Sequence, residues 1–176
     1  IMIPLSGYLS RMLSTRWLFT ISSAGFTLMS LMCGLSNNIS EMILWRALQG
    51  FIGGAMIPTV FACAFTIFPR SKMHIVSPMI GLVATLAPTI GPTLGGWLVE
   101  VASWHWVFLI NLPVGAVALG LGLYGIDESA DPDHAELDPA GQVLSVVFLG
   151  ALTYAFIAAG GGWTAPATLT VFAVAA

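Results

Sequence analysis

Residues 87–96 read Ala-Pro-Thr-Ile-Gly-Pro-Thr-Leu-Gly-Gly and lie inside an apolar run from His74 to Val99. Two prolines and three glycines within these ten residues would break a helix in water. Membrane helices tolerate such residues when their neighbours satisfy the backbone groups that proline leaves free. A run of about 20 apolar residues crosses the ~30 Å hydrocarbon core of a bilayer as a helix. The stretch therefore predicts a kinked membrane-spanning helix that packs closely through Gly91 and Gly95.

The composition of the whole chain also indicates a membrane protein. The 176 residues are 57% hydrophobic and 7% charged, and the mean hydropathy is +0.93. Soluble domains carry roughly 25% charged residues, so this chain could not cover a water-facing surface. Cys33 and Cys63 have neither disulfide nor zinc-site spacing. Because no nucleophile–base pair, metal cluster or phosphate loop is visible, we expect no enzyme activity, cofactor, bound metal or nucleic-acid partner.

Glycines, prolines and charges divide the chain into seven apolar pieces. We predict helices, because single strands leave their backbone groups unsatisfied in lipid. The expected fold is all-α, a polytopic transmembrane bundle with five complete spans and two truncated ones, cut at both chain ends. Asp138 and Pro139 predict a capping residue and a first-turn proline at the start of the sixth span. The spans are Ile1–Ser10, Trp17–Ser36, Met42–Phe68, His74–Val99, Trp104–Gly125, Ala140–Ala159 and Pro166–Ala176.

Basic residues in the connectors predict the orientation. Arg11 and Arg16 lie between the first two spans, and Arg70 and Lys72 lie between the third and fourth. The second and fourth connectors carry no lysine or arginine. The positive-inside rule therefore assigns the connectors with basic residues to the cytoplasm, and the acidic linker Ile126–Asp138 joins them by parity. We expect a multi-pass protein of the plasma membrane, with the bacterial inner membrane as its location.

Arg46 lies inside the third span, in the sequence Trp45-Arg46-Ala47-Leu48-Gln49-Gly50. An arginine in the bilayer costs from roughly 2.5 to over 10 kcal/mol, so its side chain must reach protein, water or the interface. Helical spacing places it on one stripe with Gln49, Gly50, Gly53 and Ile57, which favours a polar lumen. Gly50 and Gly54 also form a spacing typical of close helix packing.

Two interpretations of Arg46 remain open. Its head group could extend to the outer interface, because Glu41 lies only ~8 Å away along the helix. Alternatively, Arg46 is a fixed cation that lowers the pKa of a carboxylate on a neighbouring helix, which offers a route to proton exchange. No acidic residue in the complete spans is an obvious partner, so we expect that carboxylate on a helix outside this sequence.

The fifth span carries an amide just before an expected kink, in Asn111-Leu112-Pro113-Val114-Gly115. We interpret Asn111 as an interhelical hydrogen-bonding residue, with a role in lining a substrate cavity as the alternative. His105 lies between Trp104 and Trp106 and is interpreted as an interfacial histidine rather than a proton carrier.

These motifs resemble those of the major facilitator superfamily. Arg46-x-x-Gln49-Gly50 is similar to motif B on the fourth helix of that fold. Gly91-Pro92-x-x-Gly95-Gly96, with Pro88 one turn earlier, resembles motif C, the antiporter signature on the fifth helix. The stretch from Trp104 to Gly115 is similar to the sixth-helix signature of EmrB/QacA-type exporters, although His105 stands where those usually carry arginine.

The resemblance implies a drug:proton antiporter with fourteen helices. Residues 1–125 would form part of the N-terminal six-helix bundle, from late helix two to helix six. Residues 126–138 would be the acidic cytoplasmic linker, and residues 139–176 would belong to an extra helix pair.

The resemblance also implies a function for the motifs. Arg46 and Gln49 would serve proton coupling during alternating access. A conformational spine would be formed by Pro88, Gly91, Pro92, Gly95 and Gly96. The implied partners are a small, amphipathic drug-like substrate, protons and the lipid bilayer, and a periplasmic adaptor stays an open question. The alternatives are a symporter or an exporter of another small solute with the same fold, and a non-transporting membrane subunit.

The first connector departs from the family pattern. Motif A reads Gly-x-Leu-small-Asp-Arg-x-Gly-Arg-Lys, and the matching positions here are Gly7, Leu9 and Arg16. Arg11 stands at the acidic position, Met12 replaces the next basic residue and Ser14 replaces the glycine. The motif usually acts as a charged cytoplasmic latch for the outward-facing state. We therefore expect an altered latch, in which Arg11 would need a different acidic partner.

Overall fold

The structure is a computed structural model that describes residues 2–128 and 138–159. The predicted span Pro166–Ala176 and residues 129–137 of the predicted linker lie outside these ranges. The α-helices of the described residues are α1 Met2–Leu13, α2 Thr15–Gly34, α3 Ile39–Gly53, α4 Met56–Ile67, α5 Met73–Val101, α6 Trp106–Leu109, α7 Asn111–Gly125 and α8 Pro139–Ala159. One turn of 3₁₀ helix, Arg70–Lys72, precedes α5.

Five helical segments are long and apolar enough to cross a membrane. They are Thr15–Gly34, Ile39–Phe65, Arg70–Val101, Trp106–Gly125 and Pro139–Ile157. Many large apolar side chains on these segments are exposed, as expected of surfaces that face lipid or further helices. The all-α transmembrane fold class is thus confirmed. The observed helix ends lie within three residues of the predicted ones for each predicted span that the structure describes.

Side-chain caps begin several of the described helices, among them α3 and α8. At the start of α3, Asn38 Oδ1 accepts a hydrogen bond from the Glu41 backbone N–H at 2.9 Å. At the start of α8, Asp138 Oδ1 accepts from the Gly141 N–H at 3.0 Å, and Pro139 is the first helical residue. Such caps satisfy N–H groups that have no partner inside the helix. The predicted cap and proline of the sixth span are therefore present.

Two spans are interrupted, and the interruption of the third is a correction to the continuous helix that the sequence predicts. Gly54 and Ala55 separate α3 from α4, and Ile110 separates α6 from α7. A proline cannot donate to the carbonyl four residues before it, and its ring clashes with that carbonyl. Pro58 stands four residues after Gly54, and Pro113 stands four residues after Leu109. The interruptions thus occur where each proline removes a helical hydrogen bond.

The fourth span tolerates its prolines. Helix α5 runs continuously through Pro78, Pro88 and Pro92. The hydroxyl of Thr85 donates to the Gly81 carbonyl at 3.0 Å, a back-bond within the same helix. No residue of α5 is buried by the described part of the chain.

Helix α2 is the centre of the bundle, and small residues let α3 approach it closely. A Cβ added to Gly25 would lie 2.8 Å from Ile52, and one added to Gly53 would lie 2.8 Å from Phe26. Ser30 of α2 contacts Gln49 of α3, and Gly25, which comes earlier in α2, contacts Ile52, which comes later in α3. The two helices are therefore antiparallel. Close approach of this kind is typical of membrane helices.

Helix α7 packs against α2 in the same manner. An added Cβ atom at Gly122 of α7 would lie 2.8 Å from Phe19, and Gly115 of α7 abuts Thr27. The short helix α6 also lies close to α2, because a Cβ added to Gly34 of α2 would lie 2.7 Å from Leu109 of α6. Helix α4 packs against α1 and α2, and α8 packs against α1. The resulting core is rich in hydroxyl groups: its buried residues include Thr20, Ser22, Ser23, Ser30 and Thr59.

Candidate functional site

A chain of polar contacts crosses from α3 through α2 to α7. Arg46 Nη1 donates to Gln49 Oε1 at 2.9 Å. Gln49 Nε2 donates to the hydroxyl oxygen of Ser30 on α2. The same oxygen accepts a hydrogen bond from Asn111 Nδ2 of α7 at 3.2 Å. We call Arg46, Gln49, Ser30 and Asn111 the Ser30 cluster.

The cluster has a buried amide end and an exposed cationic end. Ser30 is 0% exposed and Gln49 is 1% exposed, so water does not reach either group. Arg46 is exposed, and its Cζ lies 5.2 Å from the centroid of the buried Phe108 ring. A guanidinium at this distance from an aromatic face gains cation–π attraction. The charge is therefore held between an amide oxygen and a ring.

The direction of the Arg46 side chain bears on its two interpretations. Glu41 lies near the start of α3, and both Arg46 and Gln49 come after it. At 1.5 Å of rise per residue, Gln49 is about 4.5 Å farther from Glu41 along the helix axis than Arg46 is. The hydrogen bond to Gln49 therefore points away from the interface at which α3 begins. Among the described residues, the contacts of the guanidinium are an amide and a ring, and none is with a carboxylate. This arrangement favours a cation held within the bundle.

The predicted stripe on α3 is divided in the structure. Gln49 and Gly53 face α2, but Ile57 is 65% exposed and a Cβ added to Gly50 would meet nothing within 4 Å. The close approach to α2 is thus made by Gly53, not by the predicted pair of Gly50 and Gly54.

The five residues of the predicted spine lie in α5 on an open surface. A Cβ added to Gly91, Gly95 or Gly96 would meet nothing within 4 Å. The described part of the chain therefore supplies no partner for close packing here. The role of this motif, with Pro88 and Pro92, stays a prediction.

The remnant of motif A spans a connector of one residue. Helix α1 carries Gly7, Leu9 and Arg11, helix α2 carries Arg16, and only Ser14 separates the two helices. Arg11 is exposed. The buried Nε of Arg16 has no hydrogen-bond partner among the described residues. Whether these side chains take part in gating stays a prediction.

An apolar cleft of about 750 Å³ lies between α4 and α5. Its walls include Ile57, Phe61, Met79 and Val83, and Lys72 is the one charged residue that lines it. The cleft suits an apolar or amphipathic occupant, because a polar molecule would lose its hydration there without replacement hydrogen bonds.

The sequence profile of the Major Facilitator Superfamily matches residues 1–175. The chain belongs to the Major Facilitator Superfamily. It is therefore part of a family of membrane transporters rather than of enzymes, and the resemblance of the chain to that family is confirmed.

Similar proteins of this superfamily carry names that refer to drug resistance. The chain is 42% identical over 156 residues to the colistin resistance protein EmrB of Acinetobacter baumannii, an alignment that covers 88% of this chain and 30% of that protein. It is 43% identical over 117 residues to the putative multidrug resistance protein MdtD of Yersinia pestis, covering 66% and 25%. It is 33% identical to the uncharacterized MFS-type transporter YhcA of Bacillus subtilis, covering 100% and 33%. The chain thus spans about a third or less of the length of these relatives.

Within this superfamily member, the structure brings together three residues that the sequence predicts for the site. Arg46, Gln49 and Asn111 share the Ser30 cluster, and Asn111 makes the interhelical hydrogen bond that was its first interpretation. Sequence reasoning missed Ser30 and Phe108. The signal for Ser30 was its helical spacing with Ser23 and Thr27, which places hydroxyl groups on one face of α2.

Proposed function

We propose that the complete transporter exports small amphipathic compounds in exchange for protons. The observation that carries this proposal is the Ser30 cluster, in which the exposed Arg46 of a membrane-spanning helix donates to the buried Gln49 amide and contacts no carboxylate among the described residues. An arginine in a membrane-spanning helix costs free energy, so its presence there is typical of a site that binds or moves charge.

Proton exchange follows from the effect of Arg46 on a carboxylate supplied by the rest of the transporter. A cation within about 4–6 Å favours the charged carboxylate and lowers its pKa. When the two halves rock during alternating access, the separation of the pair raises that pKa and the carboxylate takes up a proton. Gln49 supports this role because it holds Arg46 in place through its side-chain oxygen.

Two observations support an amphipathic, drug-like substrate. The cleft between α4 and α5 is lined by apolar side chains with Lys72 as its charged member. The relatives EmrB and MdtD are named for resistance to colistin and to multiple drugs. Symport, or export of another small solute, is the alternative that the same fold allows.

The proposed orientation places the connectors with Arg11, Arg16, Arg70 and Lys72 in the cytoplasm of a bacterial cell, in the inner membrane. Residues 1–125 would belong to the N-terminal bundle, residues 126–138 to a cytoplasmic linker, and residues 139–176 to an extra helix pair. The glycines and prolines of α5, from Pro88 to Gly96, would form the surface that moves against the second half. The substrate and the protons are the proposed partners.

The test measures proton movement by the complete transporter in lipid vesicles that enclose a pH-sensitive dye. Under an imposed pH gradient, we expect colistin or the fluorescent cation ethidium to produce a proton flux with the wild type. Arg46→Ala should abolish that flux. Arg46→Lys keeps the charge but loses the planar fork, and should lower the flux about tenfold, which corresponds to roughly 1.4 kcal/mol.

Arg70→Lys is the matched control, because Arg70 is exposed in a connector and is not part of the Ser30 cluster. It should transport like the wild type. Proton traces that do not respond to either compound would contradict antiport of these compounds. Full coupling in Arg46→Ala would remove Arg46 from the mechanism.

A further inference from the structure

We propose that Ser30 positions the Arg46 guanidinium by fixing which way the Gln49 side-chain amide faces. This inference rests on the proposed coupling role of Arg46 for its importance, but the positioning itself can be measured without transport. Ser30 is a positioning residue in this scheme, because it acts on Arg46 only through Gln49.

The first step is the arrangement of donors and acceptors. An arginine side chain carries only donors, so Arg46 can bind the Gln49 amide only at Oε1. The amide presents Oε1 to Arg46 because its other end, Nε2, donates to the Ser30 hydroxyl oxygen. That oxygen has two lone pairs, and the second accepts from Asn111 Nδ2 at 3.2 Å. One buried hydroxyl thus receives donors from two neighbouring helices.

The second step is the burial of the Gln49 amide and of the Ser30 hydroxyl. Gln49 is 1% exposed and Ser30 is 0% exposed, so water cannot replace the hydroxyl group. Removal of the hydroxyl leaves the buried donor Gln49 Nε2 and the half-buried donor Asn111 Nδ2 without their shared acceptor. The orientation of the Gln49 amide is then no longer fixed, and we expect it to turn in part of the molecules so that Oε1 faces Asn111.

The third step concerns Arg46. After the amide has turned, Nε2 faces the guanidinium, and two donors repel each other. Arg46 then keeps the Phe108 ring, at 5.2 Å, as its remaining contact in the described structure. The guanidinium would leave its place although neither Arg46 nor Gln49 has been altered.

This reasoning predicts a specific rescue. A glutamate at position 49 carries two acceptor oxygens and no donor, so it has no wrong orientation. In Ser30→Ala combined with Gln49→Glu, one carboxylate oxygen can accept from Arg46 and the other from Asn111. Because a carboxylate at position 49 would also hold Arg46 by its charge, Gln49→Glu alone is the reference for the double variant. A role of Ser30 in packing alone would raise the modification rate in both backgrounds, whereas a positioning role would raise it only with glutamine at position 49.

The experiment uses the complete transporter in lipid vesicles and the arginine reagent phenylglyoxal, with modification of Arg46 followed by peptide mass spectrometry. We expect Ser30→Ala to increase the modification rate about threefold or more, as the loss of one hydrogen bond would. Ser30→Ala with Gln49→Glu should react at the same rate as Gln49→Glu alone, and more slowly than Ser30→Ala. Ser23→Ala is the matched control, because Ser23 is 1% exposed on the same face of α2, two turns away.

Equal rates in Ser30→Ala and Ser23→Ala would overturn the proposal, and so would a double variant that stays as fast as Ser30→Ala. Should Ser30→Ala fail to fold, Ser30→Cys nearly preserves the volume while its sulfur is a weak acceptor, and the same comparison applies. The measurement needs no substrate or proton gradient. A transporter without proton coupling would therefore leave this result unchanged, and the two proposals fail separately.

Discussion

Ser14 alone connects α1 to α2, and the reversal of the chain is concentrated in its backbone, with φ 74° and ψ 145°. This region is essentially restricted to glycine, and other residues held near it cost about 1–3 kcal/mol. The serine offsets part of that cost, because its hydroxyl oxygen accepts from the Arg16 N–H at 3.3 Å. Motif A of the superfamily has glycine at this position, and glycine adopts this backbone conformation without strain. Ser14 is strained here, and its hydrogen bond to the Arg16 N–H makes the strain tolerable.

Two substitutions at Ser14 should therefore change stability in opposite directions. Ser14→Gly relieves the strained backbone and loses only a few tenths of a kcal/mol in capping, so we expect about 1 kcal/mol of stabilisation. Ser14→Ala keeps the strain and loses the cap, and should destabilise by about 1 kcal/mol. Thermal inactivation of the complete transporter in detergent, at one fixed heating rate, measures both. A Ser14→Gly variant that inactivates at the same temperature as Ser14→Ala would contradict the strained connector.

At the scale of the helices, glycines decide how closely α7 approaches α2. A Cβ added to Gly122 would lie 2.8 Å from Phe19 Cδ1 and 3.0 Å from Thr20 Oγ1. Gly120, two residues earlier in the same helix, has no atom within 4 Å of the same position. The two glycines therefore differ in packing while sharing their helix and its composition.

Alanine at these two positions tests the packing directly. Gly122→Ala should destabilise the transporter by about 1–3 kcal/mol, as overpacking does in a filled interior. Gly120→Ala should be neutral or stabilising by up to about 1 kcal/mol, because alanine is the better helix former. The same thermal inactivation assay compares them. Equal stability of the two variants would contradict a role for the contact between Gly122 and α2.

The helices themselves were largely predictable, because span length and the exclusion of charge depend on the chain and the bilayer alone. The break at Gly54 was missed. Pro58 leaves the Gly54 carbonyl without its helical donor, just as Pro113 does for the carbonyl of Leu109. Prolines in the fourth and fifth spans entered the sequence prediction, whereas Pro58 in the third span, where the helix is interrupted, did not.

The candidate site was predictable only in part. Arg46 was predicted because a charged residue within an apolar span is unusual. Gln49 was predicted from its place one helical turn after Arg46, and Asn111 from its place just before Pro113. Ser30 was missed because α2 contains several hydroxyl residues, and the one that receives both amides depends on how the helices are rotated. That rotation is decided by contacts between distant segments, such as Gly25 with Ile52.

At the scale of the whole molecule, the charges of the connectors are arranged by side. The antiparallel helices bring the connectors near Arg16 and Lys72 to one end of the bundle, whereas α3 begins beside Glu41 and α5 ends beside Glu100 at the other end. The positive-inside rule counts lysine and arginine in short connectors, and here it assigns one end to the cytoplasm. Asn37 and Ser71 are exposed residues of the two opposite ends.

Cysteine labelling in intact bacterial cells tests this orientation. In a complete transporter whose native cysteines, including Cys33 and Cys63, have been replaced, Asn37→Cys and Ser71→Cys each introduce one reactive thiol. A maleimide that cannot cross the inner membrane should label Asn37→Cys in intact cells, because its connector carries no basic residue and is exported. Ser71→Cys, between Arg70 and Lys72, should react only after the membrane is made permeable. Labelling of both variants in permeable cells is the control for reactivity. Labelling of Ser71→Cys alone in intact cells would mean that the topology is inverted. The exposed cationic end of the Ser30 cluster would then lie in the cytoplasmic half of the membrane.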